Sequence, residues 1–379
     1  MLVLPYGRVS YPLDLAGRAA SVLEPTTLAT PPPVEVLLDE ALRAPIDRPG
    51  LRAMAAPSAR VTVIVSDATR SEPRTQFLAA LRAQLPDVRW TVAVATGTHG
   101  PTNLDALGIP PDFETVINHD GHATRDLVTL GTTSRGTPVR LHRAVVDADL
   151  VIATGCIKPH YFAGFGAGVK AIFPGLGEAT AIRVNHALKT ADGARAGIVD
   201  ENPCRLDLEE AVGLLPTPTF LLNGVCGPDG RVHAAVAGDP VTAFRRGCDL
   251  ARPWFSVRAS KASLVIASDA LPVTASLYQA AKIASACAPL VADGGALVLV
   301  AECAEGVEPL ATVNEAIFRI GVLPRLAPTA SIHLISCLPA SIVERTLLRP
   351  LSSLTTLIDA AESIVVVPHA SQLIIETDS

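Results

Sequence analysis

The chain has 379 residues, 49% hydrophobic and 18% charged, which supports two domains with sizeable cores and excludes a disordered chain. Its net charge of −6, from 31 basic and 37 acidic side chains, excludes nucleic acid as a general partner. No apolar run is long enough to span a bilayer, so no membrane partner is expected. The opening MLVLPYGRVSYPLDL lacks a basic stretch followed by a long apolar core, and the 7 cysteines are scattered with no CxxC pair. Both features predict a cytoplasmic protein with reduced thiols.

Short β-branched runs alternate with Ala/Leu-rich stretches of helical character. In chain order the predicted strands are 60–65, 90–95, 149–153, 263–267, 296–301, 332–336 and 363–367. Most are followed by a plausible helix. This alternation predicts an α/β chain of two domains, with mostly parallel sheets flanked by helices and an active site in the interdomain cleft. A loop-rich stretch before 252–261, and a fresh βα pattern after it, divide the chain into 1–257 and 258–362. The last segment, 363–379, is a candidate to complete the first domain.

Polar motifs follow three of these strands: SDATR (66–70), TGTHG (96–100) and TGCIKPH (154–160). Ligands of open α/β sheets bind outside the carboxyl ends of the strands, so the three motifs are expected to share one crevice. The plainer alternative is that βα loops are polar in any case. SDATR offers free N–H groups to an anion, with Arg70 as a bidentate partner; alternatively Asp67 or Thr69 caps a helix. His99 sits among small residues that leave room for a ligand beside its ring.

The densest run is 157–186, IKPHYFAGFGAGVKAIFPGLGEATAIRVNH. Lys170 follows a glycine-rich turn and lies between His160 and His186. Glycines such as Gly166 and Gly168 let backbone approach a bulky ligand. A lysine there can contact a phosphate or bond covalently to a cofactor. Imidazoles can hold a metal or move a proton. The run is not a P-loop, because Val169 precedes Lys170 and Ala171 follows it, and GFGAG is not the dinucleotide fingerprint. His186 falls in a helical stretch, 178–188, as a single potential metal ligand. Tyr278, Gln279 and Lys282 share a predicted helix face; an ordinary amphipathic helix would read the same way.

Taken in order, SDATR, GTHG, KPHYFAGFGAGVKAIFPG, Asn185-His186 and YQAAK resemble the lactate racemase family, enzymes built on a nickel-pincer nucleotide. The motifs cover most of the chain. The resemblance implies the cofactor pyridinium-3,5-bisthiocarboxylic acid mononucleotide nickel, joined covalently to Lys170, with His186 as the protein's metal ligand. It implies His99 and His160 as the acid/base pair. Asp67, Thr69, Arg70, Gly166, Gly168, Tyr278 and Gln279 would contact the cofactor, and Arg70 and Lys282 the substrate carboxylate. The implied activity is racemisation of a small, lactate-like 2-hydroxy acid by reversible hydride transfer. The implied partners are that acid and separate cofactor maturation proteins.

Three positions depart from the family pattern. Gly100 stands where arginine is usual, Ser71 where proline is usual, and Ala167-Gly168 where two glycines are common. The loss of a cation at Gly100 leaves open an epimerase of larger 2-hydroxy acids, of sugar-acid, malate or aryl-lactate type. A non-catalytic nucleotide- or nickel-binding homologue is the rival of another class. An NAD dehydrogenase is disfavoured by the missing fingerprint.

Overall fold

The computed structural model describes residues 2–113 and 115–378. It contains two compact units: Thr27–Trp254, and a second made of the chain up to Thr26 together with the chain from Phe255 onward.

In Thr27–Trp254 a six-stranded sheet runs in the order Val232–Gly238, Thr219–Cys226, Leu150–Ile157, Arg60–Ser66, Arg89–Ala95, Thr115–Asn118. Neighbours are parallel except the pair Thr219–Cys226 and Val232–Gly238. Val61, Val63 and Val65 pack against Leu38 and Leu42 of the helix Val34–Arg43 and Phe77, Leu78 and Leu81 of Arg74–Gln84. Ile64 and Ala93, pointing to the opposite face, are equally buried. Cover on both faces explains why RVTVIV shows little polar alternation, and each buried Leu or Phe contributes about 1.5–3 kcal/mol.

From Arg60–Ser66 the chain builds outward through Arg89–Ala95 to Thr115–Asn118, then returns to place Leu150–Ile157 on the other side of the first strand. That reversal is a topological switch point, where the loops leaving adjacent strands diverge and open a crevice. The strand Thr219–Cys226 was not anticipated because Asn223-Gly224 interrupts its apolar run. Asn223 is nonetheless fully buried, and its Oδ1 accepts from the Gly168 N–H at 2.9 Å.

The other unit holds a parallel sheet in the order Arg349–Pro350, Ser331–Ile335, Val291–Val300, Ala262–Ser268, Ile364–Val367, Ser21–Val22. The helix Leu277–Cys287 buries Leu277, Ala280, Ala281 and Ile283 in the core over one face. The hairpin Leu2–Tyr6 and Val9–Leu13 contributes Leu4 and Leu13 to the opposite core. The ends of the chain are distributed differently from the sequence-based division. The strand Ile364–Val367, the candidate to complete the first domain, pairs with Ala262–Ser268 and with Ser21–Val22. Long-range strand pairing of this kind leaves no local trace in an apolar run such as IVVV. Among the described residues no helix is long and apolar enough to cross a membrane.

Candidate active site

A cavity of about 220 Å³ opens at the carboxyl ends of Arg60–Ser66, Arg89–Ala95 and Leu150–Ile157, the strands around the switch point. It is lined by Asp67, Arg70, His99, His160, Lys170 and His186. Three motifs that were separate in sequence therefore face one space.

Asp67 is 3% exposed and its Oδ2 lies 2.7 Å from His99 Nδ1, while the His99 side chain is 48% exposed. Burial works to raise the Asp67 pKa, but hydrogen bonds from His99 and Thr69 outweigh it, and the carboxyl is held below its ordinary value. An ionised carboxylate can only accept, so Nδ1 carries the hydrogen and Nε2 keeps an open lone pair. Replacing Asp67 with asparagine removes this tautomer lock. Turnover is expected to fall about 10²-fold or more with the fold intact, as read by steady-state rates and circular dichroism.

The loop carrying Asp67 is fastened from behind by residues the sequence did not advertise. Glu72 accepts from the Ser66 N–H and hydroxyl, both at 2.9 Å, and burial raises its pKa. Arg74 donates through Nε to the Ser66 carbonyl at 2.9 Å and through Nη2 to the carbonyls of Asp67 and Arg70. Thr69 spends its N–H and hydroxyl on Asp67 and does not line the cavity.

Lys170 and His160 form the second contact. Lys170 Nζ lies 3.2 Å from His160 Nε2. On the ring's other side, Nδ1 accepts from the Ala163 N–H at 3.2 Å. A neutral ring that accepts at Nδ1 carries its hydrogen on Nε2. The Lys170 nitrogen must then be the acceptor, that is, a free amine. The electrostatics agree: burial first, then the charges of Arg205 and Arg70, push the Lys170 pKa well below the usual lysine range. Burial above all, then the neighbouring Lys170 and Arg70, also push the His160 pKa well below its ordinary value. Both side chains retain partial exposure into the cavity yet are densely surrounded by protein atoms.

Arg205, on the helix Pro203–Gly213, is fully buried and reaches this turn from beneath. It donates to the carbonyls of Ala163, Phe165 and Ala167, and its guanidinium lies 4.2 Å from the Phe244 ring centroid. Burial lowers its pKa to about 10, so it stays charged at neutral pH. Gly168 lies between Asn223 and Phe244, at φ +67°, where an added Cβ would sit 2.6 Å from Phe244. Gly168→Ala therefore combines left-handed strain with overpacking and is expected to cost roughly 2–4 kcal/mol, measured as a lower denaturant midpoint. Gly168 stands behind the cavity wall, whereas Gly166 lines it.

His186 lies on the helix Ala179–Ala187, and Asn185 beside it donates to Asp207 at 2.8 Å, tying that helix to Pro203–Gly213. Burial, with the neighbouring Lys170 second, lowers the His186 pKa to about 4, leaving a neutral imidazole. Its buried Nδ1 makes no well-formed hydrogen bond; the nearby polar group is the Ile182 carbonyl, one turn back. The Phe162 ring packs 4.6 Å from His160 and 5.0 Å from His186, centroid to centroid, with Lys170 Nζ 5.3 Å from its centre. One aromatic ring thus spaces the lysine and both imidazoles. Nothing in the sequence singled out Phe162 or Arg205; a phenylalanine between a tyrosine and an alanine reads as ordinary core.

Among the described residues no three His, Cys, Asp or Glu side chains gather as a metal site. A metal at His186 therefore needs further donors from a bound organic group. A neutral imidazole with an orphaned nitrogen, a free amine, and two cations (Arg70 and Lys158) for a phosphate suit such a group. Tyr278, Gln279 and Lys282 belong to the other unit, on Leu277–Cys287, where Lys282 Nζ donates to Gln279 Oε1 at 2.6 Å and Tyr278 is exposed.

Fold and cavity together define an α/β protein with a lysine and three imidazoles lining a cavity at the switch point of a mostly parallel sheet. The chain belongs to the lactate racemase family: the profile of the lactate racemase N-terminal domain matches residues 6–197. A lactate racemase from Thermoanaerobacterium thermosaccharolyticum is 30% identical over 284 residues, covering 72% of this chain and 66% of that protein. One from Lactiplantibacillus plantarum is 29% identical over 282 residues, covering 71% of this chain and 66% of that protein. The match thus spans just under two thirds of each relative. The structure of the lactate racemase apoprotein from Thermoanaerobacterium thermosaccharolyticum superposes with a TM-score of 0.84 at 24% identity, covering 99% of both chains. A protein from Thermotoga maritima superposes at 0.66 with 15% identity, covering 93% of this chain and 100% of that one. These two likenesses concern the fold.

Proposed function

We propose that this chain is a racemase of a small, lactate-like 2-hydroxy acid, working with a nickel-pincer nucleotide joined to Lys170. The observation that carries the reading is Lys170 Nζ 3.2 Å from His160, with His186 across the Phe162 ring in the same cavity. His186 is the ligand for the metal, and Arg70 and Lys158 suit the phosphate. When bound, such a group supplies an acceptor for hydride from the substrate's α-carbon.

The chain's own residues handle the protons. His99, oriented by Asp67, takes the hydroxyl proton of one enantiomer at Nε2. His160, which carries its hydrogen on Nε2, is the proton donor for the opposite face. With Lys170 tied to the cofactor, that Nε2–H would be free to turn toward the substrate. Arg70, on the cavity wall, would hold the substrate carboxylate and fix its orientation. Maturation proteins would supply the cofactor, in a cytoplasmic setting.

One observation favours the larger-substrate reading: next to His99, which lines the cavity, Gly100 carries no cation and an added Cβ there meets no atom within 4 Å. Chiral analysis of cofactor-loaded protein with lactate, malate, phenyllactate and a sugar acid tests both. Racemised lactate supports the first reading and a preference for a bulkier acid the second. Inertness toward all four, with nickel and cofactor present, would sink both.

A further inference from the structure

We propose that the unloaded chain captures 2-oxo acids, Lys170 forming an imine with the carbonyl carbon inside the cavity. The inference does not rest on the nickel-pincer reading, since it uses this chain's residues alone. An imine-forming lysine must present a lone pair at neutral pH, have a proton relay within reach and leave room for the carbonyl compound. Lys170 meets the first requirement by the hydrogen-bond roles already derived: His160 accepts at Nδ1 from Ala163 and so donates at Nε2 to Nζ. His160 meets the second at 3.2 Å. The cavity, at about 220 Å³, admits a three-carbon acid, and Arg70 and Lys158 on its wall complement a carboxylate.

The groups facing Lys170 are His160, Arg70, Arg205, His186 and Cys204. None is an ionised carboxylate that would hold an ammonium in place. Arg205, fixed by three backbone carbonyls, is a permanent cation that opposes one.

The step balances without an oxidant. The Nζ lone pair attacks the carbonyl carbon, and the C=O electron pair moves to oxygen. His160 Nε2 relays a proton from nitrogen to that oxygen, giving the carbinolamine. The nitrogen lone pair then expels the hydroxyl, which leaves with a second proton as water. The sum is one amine plus one oxo acid to one imine plus one water. By this chemistry a 2-oxo acid and the cofactor compete for the same nitrogen.

The test uses cofactor-free full-length protein, pyruvate or glyoxylate as the probe, and sodium borohydride to fix the imine. Intact mass and peptide mapping are expected to place one reduced adduct on Lys170, with Lys189 and Lys261 unlabelled over the same time. Lys170→Met should show no such adduct, and Arg70→Met should slow labelling by pyruvate more than by acetaldehyde. No adduct with either acid, labelling spread evenly over the lysines, or equal labelling of Lys170→Met would overturn the proposal. Protein carrying the attached cofactor should resist labelling. If it labels at Lys170, the covalent attachment fails while the imine chemistry stands.

Discussion

Replacing Lys170 by methionine will make the cofactor-free chain more stable at neutral pH while removing covalent loading and turnover. The unfolded chain holds the lysine proton up to its ordinary pKa of about 10.4. The folded chain does not, because burial, Arg205 and Arg70 disfavour the ammonium. Between the lowered value and the ordinary one, the unfolded state binds more protons, so wild-type stability rises with pH, by up to ~1.4 kcal/mol per unit. Methionine removes that penalty along with the charge. Its advantage should be largest near neutrality and shrink toward pH 10. Thermal melts of both proteins over that range check the sign, and an advantage that does not vary with pH would mean the folded lysine is protonated. His186 acts the same way lower down. With its pKa lowered to about 4, it makes the wild type lose roughly 3 kcal/mol as pH falls from about 6.5 toward 4.

His99→Ala is expected to retain nickel and attached cofactor yet lose about 10²–10⁴-fold in turnover, the usual worth of a positioned acid/base. On the proposed mechanism the loss should appear in kcat, because the ring would handle the proton rather than the carboxylate. α-Deuterated substrate separates the two ways of breaking the C–H bond. Retention of the label in the product fits hydride transfer, and its exchange into solvent fits proton abstraction. Unchanged racemisation in the variant removes His99 from the chemistry.

The elements most legible in the sequence were those with local signatures. Runs such as RVTVIV and SLVIA are β-branched and bounded by turn residues, and each became a strand of a parallel sheet. The polar motifs were visible because they follow strands directly, where ligand-facing loops of this architecture lie. Less legible were the residues that act from a distance. Arg205 sits on a helix well along the chain from the turn it fastens, and Glu72 and Arg74 carry no local signal of a role although both side chains are buried in the structure. Thr69 and Gly168, read as ligand-facing, spend their backbone N–H groups on Asp67 and Asn223.

Composition and short-range periodicity thus determined the α/β class and most of the strand positions, and the motifs nominated the candidate site residues, because such patterns depend on neighbours a few residues apart. The tertiary structure decided which of those side chains share one cavity, where the ends of the chain pair, and in what proton state Lys170, His160 and His186 rest. Those outcomes depend on strand pairing across the chain and on burial near fixed charges, which arise when distant segments are brought together out of water.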